Sequence, residues 1–211
     1  MKKNEFLKSE VLTRLGEKLK SSGYKLSKSA CEFTKKTDFG WNKYQIVFLN
    51  RDNGWELKPS LLVRFNEVEN LFHQISDFDK KYQKVTPTIG TSIEDLVNSS
   101  ITQTRLELTN EIQINGVVNS LIELFDNVAD PFFRTYNNLH AIDEKLNSNV
   151  NDTSLTGDIF KGIKSLIIAK LIKRKDFYKI ENIYHSYYKE FSNGFYLPEY
   201  LKLRELLKSN V

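Results

Sequence analysis

Apolar side chains recur at helical spacing at the start of the chain. Between residues 3 and 21 they lie three and four positions apart, and charged residues fill the positions between them. They are Phe6, Leu7, Val11, Leu12, Leu15 and Leu19. Gly23 follows two serines and suits the left-handed conformation that often ends a helix. The pattern therefore predicts an amphipathic helix over residues 3–21.

The period changes to two from Tyr24 onward, which indicates β-strands. Alternating segments run through Phe33, through Phe48, and from Trp55 to Phe65. Asp52-Asn53-Gly54 separates the last two and is a strong hairpin signal, because Asn-Gly readily adopts positive φ. The sequence thus predicts a meander of three antiparallel strands, with one face covered by the first helix.

Shorter elements follow. Glu67 to Ile75 has the pattern of a short helix, and Thr86 to Gly90 fits an edge strand, where Pro87 is tolerated. Ile93 to Val97 is expected to form a helical turn. Thr104 to Ile114 alternates again, which predicts a further strand.

The second half of the chain has helical periodicity. A broad apolar stripe begins after Asn115, and Asp130-Pro131 is predicted to end that helix and begin another. Asn138 is predicted to cap a helix through Leu146. Residues 147–157 form a polar loop and are the best linker candidate.

The last three predicted helices are separated by short breaks. Ile159 to Ile172 is apolar nearly all round, which predicts a central helix. Asp176 is a natural N-cap for the following helix, Asn193-Gly194 ends that helix, and Pro198 begins the last one. The elements together predict an α+β fold. An N-terminal helix packs on an antiparallel sheet over residues 1–114, and a mainly helical part over 115–211 packs on the same core as one domain.

Cysteine usage and hydropathy bear on the compartment. The single cysteine, Cys31, excludes an internal disulfide, fits a reducing compartment, and is expected to be a small core residue. The basic N-terminus has no apolar run behind it, and no segment approaches the roughly 18 apolar residues of a membrane helix. We therefore expect a cytoplasmic protein without a membrane anchor.

Charge is unevenly distributed, although the net value is only +4. Residues 1–66 carry a net +7, residues 67–129 a net −6 and residues 130–211 a net +3. Such asymmetry can steer a partner, here a basic one toward the acidic middle segment. The candidate partner-binding residues of that segment are Asp77, Asp79, Glu94 and Asp95.

Known catalytic and metal-binding patterns are missing from the sequence. His73, His140 and His185 lie far apart, none in HExxH spacing, and the acidic pairs lack a ligand framework. Gly157 to Ser165 resembles a phosphate loop, but Ile163 stands where the loop requires lysine. The sequence therefore predicts no catalytic residues, no cofactor and no metal. An enzyme with a scattered His/Asp/Glu site is the alternative.

A basic cluster precedes an aromatic-rich helix. It is formed by Lys170, Lys173, Arg174 and Lys175. Basic residues beside Phe177 and Tyr178 can hold phosphates and stack bases, which makes nucleic-acid binding a second alternative. Most aromatic residues of that helix share one stripe typical of a core, and a helix C-terminus attracts cations in any case. Nucleic acid is therefore the less favoured partner.

The order of these elements resembles a known family. The residues that carry the resemblance are Ser21–Lys25, Phe33, Gln45–Phe48, Leu61–Phe65, Asp130–Phe133 and the Leu139–Leu146 helix. Over residues 5–146 the chain is similar to a family of bacterial α+β proteins of unknown function, some of which resemble immunity proteins of toxin systems. The resemblance implies a non-enzymatic protein-binding factor and transfers no catalytic residue. Its oligomeric state stays open.

Overall fold

The computed structural model describes residues 3–98 and 102–209 and confirms the predicted α+β class. The strands are β1 (Lys25–Ser27), β2 (Glu32–Lys36), β3 (Gly40–Arg51), β4 (Gly54–Phe65), β5 (Ile89–Ser92) and β6 (Leu106–Leu108). The helices are α1 (Lys3–Leu19), α2 (Asn66–Phe72), α3 (Lys80–Gln83), α4 (Ile114–Leu124), α5 (Asp130–Thr135), α6 (Leu139–Asn147), α7 (Gly157–Leu171), α8 (Phe177–Glu190) and α9 (Leu197–Ser209). Within the described residues, no helix combines the length and apolarity needed to cross a membrane.

The chain divides into two compact units. The first comprises Met1–Val63 and Gly90–Arg134, and the second comprises Arg64–Ile89 and Thr135–Val211. Each unit is therefore assembled from two separate stretches of sequence. That residues 1–114 and 115–211 share one core stays a prediction.

The first unit is built on the sheet, whose strands run in the order β1-β2-β3-β4-β5. Strand β6 also pairs with β4, antiparallel, with Leu57 opposite Leu106. The predicted hairpin joins β3 to β4 through the two residues Asp52 and Asn53. Gly54 then allows close approach to β6, because a Cβ at this position would lie 2.3 Å from the carbonyl oxygen of Leu108.

Helix α1 packs within the first unit as predicted. It buries Leu7, Val11, Leu12, Leu15 and Leu19, and Gly23 beyond its end has φ +85°. The fully buried Phe33 and Tyr44 extend this core, and the Tyr44 hydroxyl donates to the carbonyl oxygen of Leu121 in α4 at 3.0 Å. The core therefore joins helix and sheet mainly through apolar and aromatic packing.

The strand predicted from Thr104 to Ile114 is shorter than expected. Only Leu106–Leu108 is a strand, and the alternation beyond it belongs to helical turns. Asn110 accepts from the backbone N–H of Ile112, and Gln113 accepts from the backbone N–H of Asn110. This capping box supplies the free backbone groups with partners, so it ends the extended segment and begins a helix.

The helix break predicted at Asp130 is also corrected. Asp130 has helical angles, and α4 continues into α5 through a π-helical turn over Phe125–Ala129. Pro131 lacks a backbone N–H and its ring would clash with the carbonyl of residue 127 in a regular α-helix. The wider π-turn is the local adjustment that lets the helix pass the proline.

The second unit is centred on α7, as predicted. Every residue from 161 to 169 is buried, and Gly162 gives room for Tyr184 and Tyr188 of α8, which a Cβ would approach within 2.7 Å and 2.6 Å. The predicted cap on α6 is present, because Asn138 accepts from the N–H of Ala141 at 3.0 Å. The polar loop before α7 does not join the two units, since both of its flanks lie in the second one.

Candidate functional site

The histidines do not meet a set of carboxylates. His73 is hydrogen-bonded at both ring nitrogens, to Ser76 Oγ at 2.8 Å and to Thr86 Oγ1 at 2.7 Å. Burial lowers its pKa, although the nearby Glu69 opposes this shift. His140 is exposed on α6, and His185 of α8 stacks on Tyr200 of α9. This arrangement leaves His73 without a free nitrogen for acid–base catalysis.

The acidic candidates are also dispersed. Asp77 and Asp79 are exposed in the second unit, whereas Glu94 and Asp95 belong to the first. Glu94 is occupied by Arg105 and Lys58, whose hydrogen bonds lower its pKa. Within residues 3–98 and 102–209, no group of three or more His, Cys, Asp or Glu side chains is placed to hold a metal ion. Their role in binding a basic partner stays a prediction.

A buried ion cluster lies in the second unit, formed by Arg64, Glu69, His73 and Lys164. Glu69 is 0% exposed, and its Oε1 lies 3.1 Å from Lys164 Nζ and accepts from Thr88 at 3.0 Å. Its Oε2 accepts from Thr86 at 2.7 Å. Burial lowers the pKa of Lys164, and Glu69 opposes this shift. The Glu69 carboxylate is therefore the counter-ion of two buried cations, Lys164 and Arg64.

Arg64 is the outermost cation of this cluster. Its Nη1 lies 4.0 Å from Glu69 Oε2 and donates to the carbonyl oxygens of Gln83 and Thr86 at 2.9 and 2.7 Å. Its Nε donates to Asn66 Oδ1 at 3.0 Å. Arg64 is 5% exposed, yet it lines a depression of about 480 Å³ at the surface of the same unit. The cluster therefore reaches this depression through the Arg64 guanidinium and through His73, which lines it as well.

A second buried lysine stabilises the polar loop. Lys161 is fully buried on α7 and donates to the carbonyl oxygen of Asp152 at 2.7 Å. Burial lowers the pKa of Lys161 to about 8. The Asp152 side chain in turn accepts from Lys145 at 2.6 Å. This loop is therefore bonded to both flanking helices, and Lys161 has a structural role.

The predicted basic cluster borders a depression of about 690 Å³ in the second unit. We call it the α7–α8 groove; its lining residues are Leu71, Ala169, Lys170, Leu171, Lys173, Arg174, Phe177, Tyr178 and Leu207. Apolar side chains thus lie beside three basic ones. Tyr178 is 74% exposed beside these basic residues.

The four basic residues of the cluster differ in how they are used. Arg174 is paired with Asp143 at 2.8 Å and with Asp176 at 2.8 Å, and these hydrogen bonds raise its pKa. Lys170 Nζ lies 5.3 Å from the centroid of the Phe177 ring. Lys175 is exposed and does not line the groove. Asp176 occupies the predicted N-cap position of α8, but its carboxylate makes no capping hydrogen bond and holds Arg174 instead.

Lys173 has a strained backbone. It adopts φ +56° at the end of α7, and the N–H of Arg174 donates to the carbonyl oxygen of Ala169 at 3.0 Å. This pattern is a Schellman-type helix end, in which glycine is the favoured left-handed residue. A side chain there costs roughly 1–2 kcal/mol. The chain tolerates that cost and places an exposed ammonium group at the groove.

Sequence reasoning found the basic cluster but missed the ion cluster. In the sequence, Lys161 and Lys164 are charges within the otherwise apolar stretch that forms α7. A helix that is apolar all round has no solvent face, so these two positions were already candidates for burial. The partner Glu69 lies on a different helix, α2, far away in the sequence, and no local pattern connects the two.

The family resemblance was drawn from the pattern of residues 5–146. Its elements are present as a leading helix, a hairpin and an α4–α5 turn with buried Phe132 and Phe133. A similar element order alone does not identify a family, so the immunity-like resemblance stays a prediction. Comparisons of the chain with protein-family models, with curated proteins and with solved structures found no match.

Proposed function

We propose that this chain is a non-enzymatic binding protein whose α7–α8 groove holds an acidic, amphipathic segment of a protein partner. The observation that carries the proposal is Lys173, held in a left-handed conformation beside an apolar groove. Backbone strain concentrates at sites where it serves binding or catalysis. No catalytic set accompanies it among the described residues, which favours binding.

The groove matches such a segment in both size and charge. Its volume of about 690 Å³ lies in the range of ligand-binding clefts. Leu71, Leu171 and Leu207 offer apolar contacts, and Lys170 and Lys173 have no ion-pair partner within the described part of the chain. Acidic residues flanking a leucine or phenylalanine would therefore satisfy the groove, and charge complementarity would speed association.

Nucleic acid fits the same surface less well. Arg174 could hold a phosphate through two hydrogen bonds from its guanidinium, but this group is already paired with Asp143 and Asp176. Phe177 is half-buried beneath Lys170, so Tyr178 alone remains as a stacking platform at the groove. Single-stranded nucleic acid is usually held by several aromatic side chains along a basic path. A protein segment is thus the better match.

The resemblance to immunity-like proteins suggests a toxin as one class of partner. A toxin with an acidic amphipathic segment would fit the basic groove, whereas a strongly basic nuclease toxin would not. The acidic residues Asp77 and Asp79 stay candidates for contact with a basic partner on a separate surface of the second unit. The proposal for the groove is independent of both ideas.

Peptide display provides the test, since no partner is needed in advance. A random 12-residue library is selected on the full chain, and the selected peptides are resynthesised and measured by fluorescence anisotropy. We expect peptides with Asp or Glu beside leucine or phenylalanine, whose affinity falls with salt because exposed charges are screened. The double variant Lys170→Gln/Lys173→Gln should weaken binding by about tenfold, as lost charge pairs do.

Matched controls distinguish binding in the groove from nonspecific attraction of acidic peptides to positive charge. Lys175→Gln removes a neighbouring charge that does not line the groove and should leave the affinity within about twofold, because the screened charge lies off the contact. A peptide with its acidic residues replaced by lysine should not bind. Selection of peptides that bind the double variant equally well would refute the proposal. Tighter binding of oligothymidylate that is lost in Tyr178→Ala would support nucleic acid instead.

A further inference from the structure

The depression beside Arg64 has a lining with only one sign of charge. We call it the Arg64 pocket; its residues are Arg64, Asn70, His73, Gln74, Lys80, Gln83 and Lys84. Lys80 and Lys84 are four positions apart, so they share one face of the α3 turn. Neither has an ion-pair partner in the part of the chain that the structure describes. No acidic side chain lines the pocket.

Arg64 itself has a donor to spare. Its Nε and Nη1 are fully used by Asn66, Gln83 and Thr86, but Nη2 has no acceptor among the described residues. Buried polar groups of native proteins are normally paired, and a charged one above all. Arg64 is only 5% exposed, but Nη2 is not among the buried side-chain atoms that lack a partner, so this nitrogen retains access to the pocket, where an acceptor would complete its hydrogen bonding.

The charges behind the pocket point to the same kind of ligand. Lys164 and Arg64 share the one carboxylate of Glu69, and this leaves the buried ion cluster with a net positive charge. The like charges of Lys80 and Lys84 add to it. Lys80 and Lys84 are exposed, so positive charge is concentrated at an open depression and would attract an anion there. The Glu69 carboxylate does not serve as the acceptor for Arg64 Nη2, because its approach to the guanidinium is toward Nη1, with 4.0 Å between Nη1 and Glu69 Oε2.

From these observations we infer that the Arg64 pocket binds an oxyanion of the phosphate class. A phosphate group offers several acceptor oxygens to a guanidinium and to two ammonium groups, and arginine matches it geometrically. Arg64 Nη2 would anchor the group from inside, and Lys80 and Lys84 would close on it from α3. The site is distinct from the α7–α8 groove and does not depend on the function proposed for it.

Titration calorimetry on the full chain tests the site. Inorganic phosphate and phenyl phosphate are titrated separately at constant ionic strength, with sodium chloride as the balancing salt. We expect saturable binding of one of the two, and the tighter one tells whether the source is the free ion or a phosphate monoester. Lys80→Gln/Lys84→Gln should raise its Kd by about tenfold, because two charge-assisted contacts are lost from a surface turn.

Lys81→Gln is the matched control, since Lys81 lies on the same turn, outside the pocket, near Asp79. It should leave the Kd within about twofold, as expected for a screened charge. Circular dichroism verifies that the variants remain folded. Failure of both phosphate ligands to saturate, or equal weakening by Lys81→Gln, would overturn the inference. Arg64→Lys, which keeps the charge but loses the forked donors, should weaken binding in a folded protein.

Discussion

The two compact units have different interiors. Among the described residues, the first unit buries a single charged side chain, Lys43, and its other buried polar residues, Asn42, Thr91 and Thr104, are uncharged. The second unit buries six charged side chains: Arg64, Glu69, Asp143, Lys161, Lys164 and Glu181. A buried charge costs several kcal/mol unless it is paired and hydrogen-bonded. The stability of the second unit therefore depends on specific pairs, and that of the first on packing.

Most of the candidate sites lie in the second unit, which also holds most of the buried charges. All three histidines, the α7–α8 groove and the Arg64 pocket belong to the second unit. Buried ion pairs add little net stability compared with apolar residues of equal volume. The six buried charged side chains of the second unit are therefore not explained by stability alone. The comparison supports the proposals made for the second unit, while the partner-binding candidates Glu94 and Asp95 lie in the first.

The largest expected effect comes from removing the shared carboxylate. Glu69→Gln leaves Lys164 and Arg64 buried without a counter-charge, and we expect the free energy of unfolding to fall by about 3–5 kcal/mol. Glu32→Gln in the first unit also removes the partner of a buried lysine, Lys43. Lys43 keeps its contact with the Trp41 ring, so we expect a loss of about 1 kcal/mol. Hydrogen exchange resolved along the chain measures both.

Lys164→Met sharpens this comparison. It removes the excess cation and leaves Glu69 with Thr86, Thr88 and Arg64, so it should cost clearly less than Glu69→Gln, about 1–2 kcal/mol. Hydrogen exchange resolved along the chain measures both losses in the second unit, whereas fluorescence follows the first unit, where both tryptophans lie. Equal losses for the two variants would show that Glu69 and Lys164 act as an isolated pair and not as part of a positively charged cluster.

The sequence predicted the elements whose causes are local. Helix α1, the hairpin at Asn53-Gly54 and the cap at Asn138 follow from periodicity and from side chains that bond within a few residues. The extended strand to Ile114 was wrong because alternation was followed past Asn110. The signal that corrects it is also local, since Asn110 and Gln113 have the spacing of a capping box.

The pairings that build the candidate sites are not local. Glu69 meets Lys164 only after α2 and α7 pack, and Arg64 reaches the carbonyl oxygens of Gln83 and Thr86 across a loop. Asp176 is the N-cap residue of α8 as predicted, but its carboxylate forms a bidentate ion pair with Arg174, which is stronger than a capping hydrogen bond. Tertiary contacts of this kind leave no period in the sequence.

A smaller effect, from Lys161, should appear as a pH dependence. Its pKa is lowered to about 8 in the folded protein from an ordinary 10.5, so the unfolded chain binds the proton more tightly. Unfolding then takes up a proton between these values, and stability rises with pH across that window. We expect the stability difference between wild type and Lys161→Met to shift in favour of wild type by about 2 kcal/mol from pH 8 to pH 10.

Urea unfolding at a series of pH values measures that shift. The Lys161→Met reference removes contributions from other groups, above all the buried tyrosines such as Tyr44 and Tyr188, whose raised pKa values weaken the fold above pH 10. Lys145→Met is the matched control, because Lys145 is half-exposed on α6 and its pKa is raised by Asp152. A stability difference that stays constant from pH 8 to pH 10 would mean that Lys161 is not titrating in this window.

The smallest expected effect separates stability from binding at the groove. Lys173→Gly places the favoured residue at the left-handed position after α7, so the free energy of unfolding should rise by about 0.5–1 kcal/mol. The same change removes an ammonium group, so selected acidic peptides should bind several-fold more weakly, as for a lost charged contact. Lys170→Gln, inside the helix, should weaken binding without stabilising the fold. If Lys173→Gly is more stable and binds equally well, the strain at Lys173 serves no ligand, and the second unit's groove loses its main support as a binding site.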